Sequence, residues 1–359
     1  MSKRVTIKDV AEKTGLSIST VSLVINNKGK VGEETRKKVL KAIEELGYYP
    51  TRSARSLASR RTGNIGFILT EEHFSRSEPF YTRIFLGTEF ESRNYNYYVL
   101  LTTIPSQFSK NSIPRFLLER NVDGVIFAGK VNQKYVKYVE ELGLPYILVD
   151  YDLAGKKVSA VMIDNVQGGM MATEHLINIG YSKIAFVGGD IEHPSIKGRF
   201  EGYKMAIEKH GMVCSEDLCI VDEPDTRISN GYKACQKLLS RVKPEAIFAA
   251  NDAMAIGCVK FLKEKGIKIP DEIGIVGFDD IEACIHIEPK LTSVRVDKEE
   301  LGITAVKRLM EMIDNTNSGI NRVYVPVELV IRDSCGAKLR GKFESLEDQS
   351  QVELPDKEI

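Results

Sequence analysis

The spacing of apolar residues changes character once along the chain, near residue 62. Before that point apolar positions recur every three or four residues in three short stretches. Ile7, Val10 and Ala11 with Thr14 make one narrow stripe, and Gly15 closes it. That period, ended by a glycine, predicts a short helix. Thr6 with Asp9 three residues on resembles a capping box at its start. Ser17 can cap a second helix running to about Asn26, with Val21, Val24 and Ile25 facing inward. Glu33 to Leu46 predicts a third, in which Val39, Leu40, Ile43 and Leu46 recur and Gly47 is the stop. Two short helices joined by a tight glycine-containing turn form a helix-turn-helix.

Beyond Asn64 the pattern becomes one of short continuous apolar runs separated by helical segments. The runs are 65–69, 97–101, 124–129, 146–151, 160–164, 183–189, 246–251 and 273–280. Strands this apolar are buried on both faces, as in parallel sheets flanked by helices. Eight of them exceed one comfortable open sheet, so two α/β lobes are expected. The end of the chain, from Gly341, is polar, with 2 basic and 6 acidic residues. It lacks the heptads that would build a helical bundle.

Charge separates the two regions. Residues 1–61 hold 14 Lys and Arg against 6 Asp and Glu, whereas the remainder holds 36 against 44. A basic head on an acidic body is the electrostatic footprint of a nucleic-acid reader. The exposed face expected for the second helix carries Ser17, Ile18, Ser19, Thr20, Ser22, Leu23 and Asn26. Short hydrogen-bonding and methyl-bearing groups of this kind suit the major-groove floor, and an ordinary solvated helix face is the alternative. Thr6, Thr35 and Tyr48 are counted with them as contacts to double-stranded DNA. In the segment TRSARSLASRR, Thr51 can cap a short helix with Ala54 and Leu57 on one side and Arg52 and Arg55 available for phosphates. Read alone, it is equally a basic linker.

Composition narrows the rest. With 359 residues and 43% hydrophobic content the chain can bury two or three cores. It contains no run of eighteen apolar residues and no charged-then-apolar N-terminal segment. No membrane span and no signal peptide are expected, and the protein is expected in the cytoplasm. The six cysteines form no C-x-x-C pair and are read as reduced thiols, with no metal and no cofactor expected. Two catalytic signals fail. Gly124 to Lys130 has phosphate-loop spacing, but its interior is strand-like and Val131 stands where magnesium binding needs Ser or Thr. The histidines at 73, 175, 193, 210 and 286 form no H-E-x-x-H, and no G-x-S-x-G elbow exists. An enzyme, such as one processing a sugar, is the remote alternative.

Polar residues at strand ends read better as a ligand pocket, since open α/β sheets bind ligands outside the carboxyl ends of their strands. These are Phe80 and Tyr81, Asp150 and Tyr151, Ser195 and Arg199, Asn251 and Asp252, and Asp279. Aromatics for stacking with Arg, Asn and Asp for hydroxyls grip a small polar molecule. Taken singly, each is equally a loop cap or turn residue.

The run VTIKDVAEKTGLSISTVSLVIN, then VGEETRKKVLKAIEELGYYP, the ARSL that follows and TGNIGFI together resemble the lactose-repressor (LacI/GalR) family of bacterial transcription regulators. The resemblance extends to about Cys335. It implies a helix-turn-helix head (1–50), a hinge helix (51–61) and a two-lobed core like the periplasmic binding proteins (62–337), followed by the acidic tail (338–359). Lobe 1 would take about 62–162 and 293–322, and lobe 2 about 163–291 and 323–337, with the chain crossing near 162, 291 and 322. It further implies a homodimeric repressor on a near-palindromic operator, with paired hinge helices in the minor groove and Leu57 wedged into a base step. The pocket positions match those that hold sugars or purines in the family, a sugar-like effector being favoured. Some members work instead with a phosphorylated carrier protein, but nothing in this sequence marks its docking face. Two departures stand out. Thr226 and Arg227 occupy the region where several relatives place a pocket aromatic. Leu23 stands where the family usually carries Arg or His. Leu23 either turns inward beside Val24 or offers its methyls to thymine, and the second is expected, giving an A·T pair where relatives read G·C.

Overall fold

The computed structural model describes residues 5–25, 29, 31–48, 61–73, 80–153, 155–314 and 319–341. Three helices form the head: α1 (Ile7–Thr14), α2 (Ile18–Ile25) and α3 (Glu33–Leu46). The Thr6 amide donates to Asp9 Oδ2 at 2.7 Å, so the capping box forms as expected. Gly15 and Gly47 end α1 and α3 with φ of 64° and 60°, the left-handed conformation that a helix stop of this kind requires. Ser17 Oγ accepts from the Thr20 amide at 3.1 Å and starts α2. Val10, Val21 and Val39, one from each helix, are fully buried and meet with Ala11, Val24, Ala42 and Tyr48 in one core.

Two details of the head correct the sequence reading. Leu40 is 51% exposed, because Val39, Ala42 and Ile43 define the inward face of α3 and residue 40 lies off it. Tyr48 is 5% exposed and its ring belongs to the head's core rather than to an open face.

The core consists of two six-stranded sheets. Sheet one contains β1 (Asn64–Thr70), β2 (Tyr98–Ile104), β3 (Gly124–Ala128), β4 (Tyr146–Val149), β5 (Ala160–Ile163) and β11 (Arg322–Val325), in the order β11-β5-β4-β3-β1-β2. Sheet two contains β6 (Ile184–Val187), β7 (Cys219–Ile220), β8 (Ala246–Ala249), β9 (Gly274–Asp279), β10 (Thr292–Val296) and β12 (Val327–Val330), in the order β12-β10-β9-β8-β6-β7. All pairs are parallel except β10 with β12. The crossover helices used below are α4 (Phe80–Asn94), α6 (Gln133–Glu141), α7 (Asn165–Asn178), α8 (Pro194–Lys209), α9 (Ile228–Arg241), α10 (Asp252–Glu264) and α11 (Lys298–Ile313), with a single turn α5 (Arg115–Leu118) between α4 and α6.

Each of the eight apolar runs is a strand. The four unanticipated ones have another character: β7 is two residues long, while β10, β11 and β12 mix apolar with polar positions. Pairing also moves two crossings. β10 sits between β9 and β12, so the chain stays in lobe 2 through Val296 and leaves at Asp297, not near 291. β11 pairs with β5, which keeps lobe 1 going to Val325 and puts the return at Pro326, not near 322. The first crossing, at Asp164, follows β5 as expected.

Close helix pairs lock the lobes. A Cβ on Gly87 of α4 would lie 2.1 Å from the Glu299 carbonyl oxygen of α11. One on Gly202 of α8 would lie 2.1 Å from Val166 O of α7, so α8, which carries Ser195 and Arg199, rests directly on its neighbour's backbone.

Candidate functional site

The outer face of α2 holds the residues expected to read DNA. Ser17 and Ser19 are exposed, Thr20 and Ser22 are half-buried, and Ile18 and Leu23 are 45% and 41% exposed. Ser17 Oγ lies 2.9 Å from Thr20 Oγ1 and donates to Ser19 Oγ at 3.3 Å, so these hydroxyls are ordered before any partner arrives. Val24 takes the inward position at 3% exposure, whereas Leu23 at 41% stands on the outer face. Thr6 is exposed but its hydroxyl is bonded to Asp9, and Thr35 is half-buried near the start of α3. Asn26, Arg52, Ala54, Arg55 and Leu57 lie outside the described residues.

The second cluster forms where the two lobes face each other. Asp150 follows β4 with φ of 56°, left-handed backbone that a non-glycine residue adopts at a cost. That conformation turns its carboxylate toward lobe 2. It is 5% exposed and accepts the Tyr81 hydroxyl of α4 at 3.0 Å and the Ser195 hydroxyl at 3.1 Å. Ser195 lies in the first turn of α8, behind Pro194 and capped by His193, so its bond to Asp150 joins the lobes. Burial pushes Asp150 up to about 6, with Asp279 adding to the rise and Arg199 and the two hydroxyls opposing it. Burial likewise raises the Tyr81 phenol. Phe80 meets the Tyr81 ring edge-on at 5.1 Å.

Arg199, 4% exposed, is held on all sides. Its Nε donates to Asn165 Oδ1 at 2.9 Å, Nη1 to Ala250 O at 2.7 Å and Nη2 to Asp279 Oδ1 at 3.0 Å. The guanidinium lies 3.7 Å from the centre of the Phe278 ring. A buried charge persists only when paired and bonded in this way. Asp279, at the end of β9, has φ of 102°, a second strained carboxylate at the strand ends.

Phe80, Tyr81, Asp150, Ser195, Arg199 and Asp279 thus converge, while three expected residues do not. Tyr151 packs against the outer-face core of lobe 1, because successive residues leaving a strand point to opposite sides. Asn251 caps α10 through the Met254 amide at 2.9 Å. Asp252, 1% exposed, accepts Ser293 Oγ at 2.6 Å and the Ile281 amide at 2.9 Å, which places it in the scaffold beneath the cluster. Burial and then Asp279 push it up to about 7.

Three contributors escaped the sequence reading. Asn165 follows the strand end at AVMID and could have been found there. Phe278 was hidden inside an apolar run. Lys298, first residue of α11, had no signal: it donates to the carbonyls of Asp279 and Val296 and lies 5.8 Å from the Phe80 ring centre. Burial lowers its pKa, against the opposing pull of Asp279, Asp252 and Asp280. Beside it a cavity of about 600 Å³ opens between the lobes, lined by Phe80, Ile285, Val296, Lys298 and Arg332 among others. Among the described residues no group of three or more His, Cys, Asp or Glu is placed to hold a metal, and all six cysteines are free.

Comparison with known proteins bears on both clusters. Residues 6–51 match the bacterial regulatory proteins of the lacI family, and residues 173–335 match a periplasmic binding protein-like domain. The HTH-type transcriptional repressor PurR of Pasteurella multocida (strain Pm70) is 32% identical over 93% of this chain and 99% of its own length. The chain belongs to the LacI family. Catabolite control protein A of Priestia megaterium is also 32% identical, over 92% of this chain and 99% of that protein. Among solved LacI-family structures, a lac repressor dimer bound to operator and the anti-inducer ONPF superposes with a TM-score of 0.76 at 26% identity, covering 93% of this chain and 99% of that one. A complex of the regulator CelR with cellobiose gives 0.70 at 30% identity, covering 92% and 100%. As a member of this family the chain is a DNA-binding transcriptional regulator with a helix-turn-helix head and a periplasmic-binding-protein-like core. None of its described helices is long and apolar enough to cross a membrane.

Proposed function

We propose that this regulator is a cytoplasmic homodimeric repressor that binds a near-palindromic operator and responds to a small effector, sugar-like in preference to purine, held between its lobes. The observation that carries the reading is the contact between Asp150 and Ser195, with Arg199 and Asp279 beside it. A ligand shifts a two-state equilibrium only through contacts that differ between the states, and polar groups spanning a hinge differ in that way. In this reading Tyr81, Asp150, Ser195, Arg199 and Asp279 contact or organise the effector, with Phe80 as a wall. Residues 51–61 enter the minor groove, with Arg52 and Arg55 at phosphates and Leu57 at a base step, beside Ala54. Dimerisation is supported by an exposed apolar patch on one edge of lobe 1: Leu86 and Phe90 of α4, with Tyr98 and Leu101 of β2, which is an edge strand. Large apolar groups gathered in this way mark contact surfaces.

Two experiments test it together. A footprint of the purified protein on DNA upstream of its own coding region should show two protected half-sites on one face of the duplex. Thermal denaturation with a panel of sugars and nucleobases should reveal a ligand that raises the midpoint. Tight binding of a monomer to a single half-site would overturn the dimeric reading.

A further inference from the structure

With the cleft taken as the effector site, its stock of donors and acceptors decides what can enter. Asp150 accepts one hydroxyl at each oxygen and keeps a second lone pair on both. Asp279 receives Arg199 at Oδ1, and its Oδ2 accepts nothing among the described residues. The cations of the cleft are already occupied: Arg199 by Asn165, Ala250 O and Asp279, with Phe278 against its face, Lys298 by two backbone carbonyls, Arg332 and Arg295 by Asp280, and Arg83 by Glu299. Asp252 lies beneath and adds a third carboxylate to Asp150 and Asp279. The start of α8 contributes a partial positive charge, but His193 Nδ1 and Asp150 already face it.

We propose that this cleft takes an unphosphorylated polyhydroxy ligand and rejects the phosphate ester of the same molecule. A hydroxyl both donates and accepts. It can donate to the open lone pairs of Asp150 and Asp279 and accept from Ser195 or Tyr81 once they rotate away from Asp150. A phosphate offers acceptors alone at neutral pH and would bring two further charges beside buried carboxylates, where low polarisability strengthens the repulsion. The Asp150 carboxylate, already pushed up to about 6 by burial, shows how poorly the site supports negative charge.

The test uses the full chain and matched pairs at pH 7.5: glucose and glucose 6-phosphate, ribose and ribose 5-phosphate, N-acetylglucosamine and its 6-phosphate, galactose and its 1-phosphate. Thermal midpoints are followed by calorimetric titration of any member that shifts them. The expected result is a response to an unphosphorylated member at least tenfold tighter than to its ester. Asp279→Ala should lose that response, and Asp150→Asn, which removes charge while keeping shape, should narrow the gap between the pair. A phosphate ester that binds as tightly as its parent, with binding lost in Asp279→Ala, overturns the proposal and leaves the cleft as the effector site. A response untouched by both Asp150→Ala and Asp279→Ala, in variants whose ligand-free circular dichroism matches the parent, overturns the effector-site reading itself.

Discussion

Replacing Asp150 with Asn should flatten the pH dependence of stability. In the folded protein the carboxyl is raised from 3.8 to about 6, with burial as the largest cause. The neutral form is therefore the one the fold favours. Its contribution is fully present below pH 3.8 and is lost as pH rises through 6. A shift of this size corresponds to about 3 kcal/mol across the whole range, at ~1.4 kcal/mol per unit. Between pH 5 and pH 8 the same linkage removes about 1.4 kcal/mol from the parent. An Asn amide donates to the Ser195 or Tyr81 oxygen after a hydroxyl rotation, so Asp150→Asn keeps the contacts and loses the titration. Urea unfolding of both proteins at pH 5, 6, 7 and 8 gives the difference directly. The variant should gain about 1.4 kcal/mol on the parent between the two ends of that range. Parallel curves for the two proteins would show that Asp150 titrates alike folded and unfolded, and that the cluster is wetter than its geometry indicates.

Four further outcomes are expected. Leu23→Arg should move one half-site position toward guanine, by ~1–3 kcal/mol of discrimination for a bidentate contact, as read by selection from a random DNA pool; identical selected sequences would mean that residue 23 reads no base. Leu57→Ala should weaken operator binding while salt-sensitive, non-specific binding persists, and equal operator affinity would return Leu57 to linker packing. Arg199→Ala should cost about 3–5 kcal/mol of stability as well as the effector response, because it strands Asp279 and two other acceptors in a buried site; an unchanged unfolding midpoint would contradict this. Phe90→Glu should raise the dimer dissociation constant at least tenfold in sedimentation equilibrium, and an unaltered constant would move the interface off the α4 patch.

How much of this was legible depends on what each signal encodes. Helix caps are local chemistry, so Thr6, Gly15, Ser17 and Gly47 gave the head's elements from sequence. Which residue of a stripe faces inward is a matter of phase, and there Leu40 misled because a leucine outweighs the smaller Ala42 that holds the inward place. Strands buried on both faces announce themselves, whereas β10, with Arg295 exposed in its middle, and β11, with Tyr324 56% exposed, do not. Those strands carry the crossings past 291 and 322, the positions that the family resemblance implies. At the cleft, position after a strand brought Asp150, Ser195, Arg199 and Asp279 together correctly. It could not separate Asp150 from Tyr151, or a lining residue from Asp252, since the pleat sends neighbours to opposite sides. Lys298 comes from a helix that returns from the other lobe, and nothing local to it points there.

The three crossings at Asp164, Asp297 and Pro326 also set an order in time. The head's three helices are complete in sequence by residue 48, and their core is built from residues 5–48. Lobe 1 lacks its edge strand until Val325 has been made, and lobe 2 lacks β12 until Val330, so the two lobes become whole within a few residues of each other, late in synthesis. A nascent chain therefore carries the whole head for most of its elongation without a finished core. In the dimeric reading proposed above, recognition by two heads held at a fixed spacing would wait until translation is nearly over. Truncated products that end inside the core keep the basic head and lack both finished lobes.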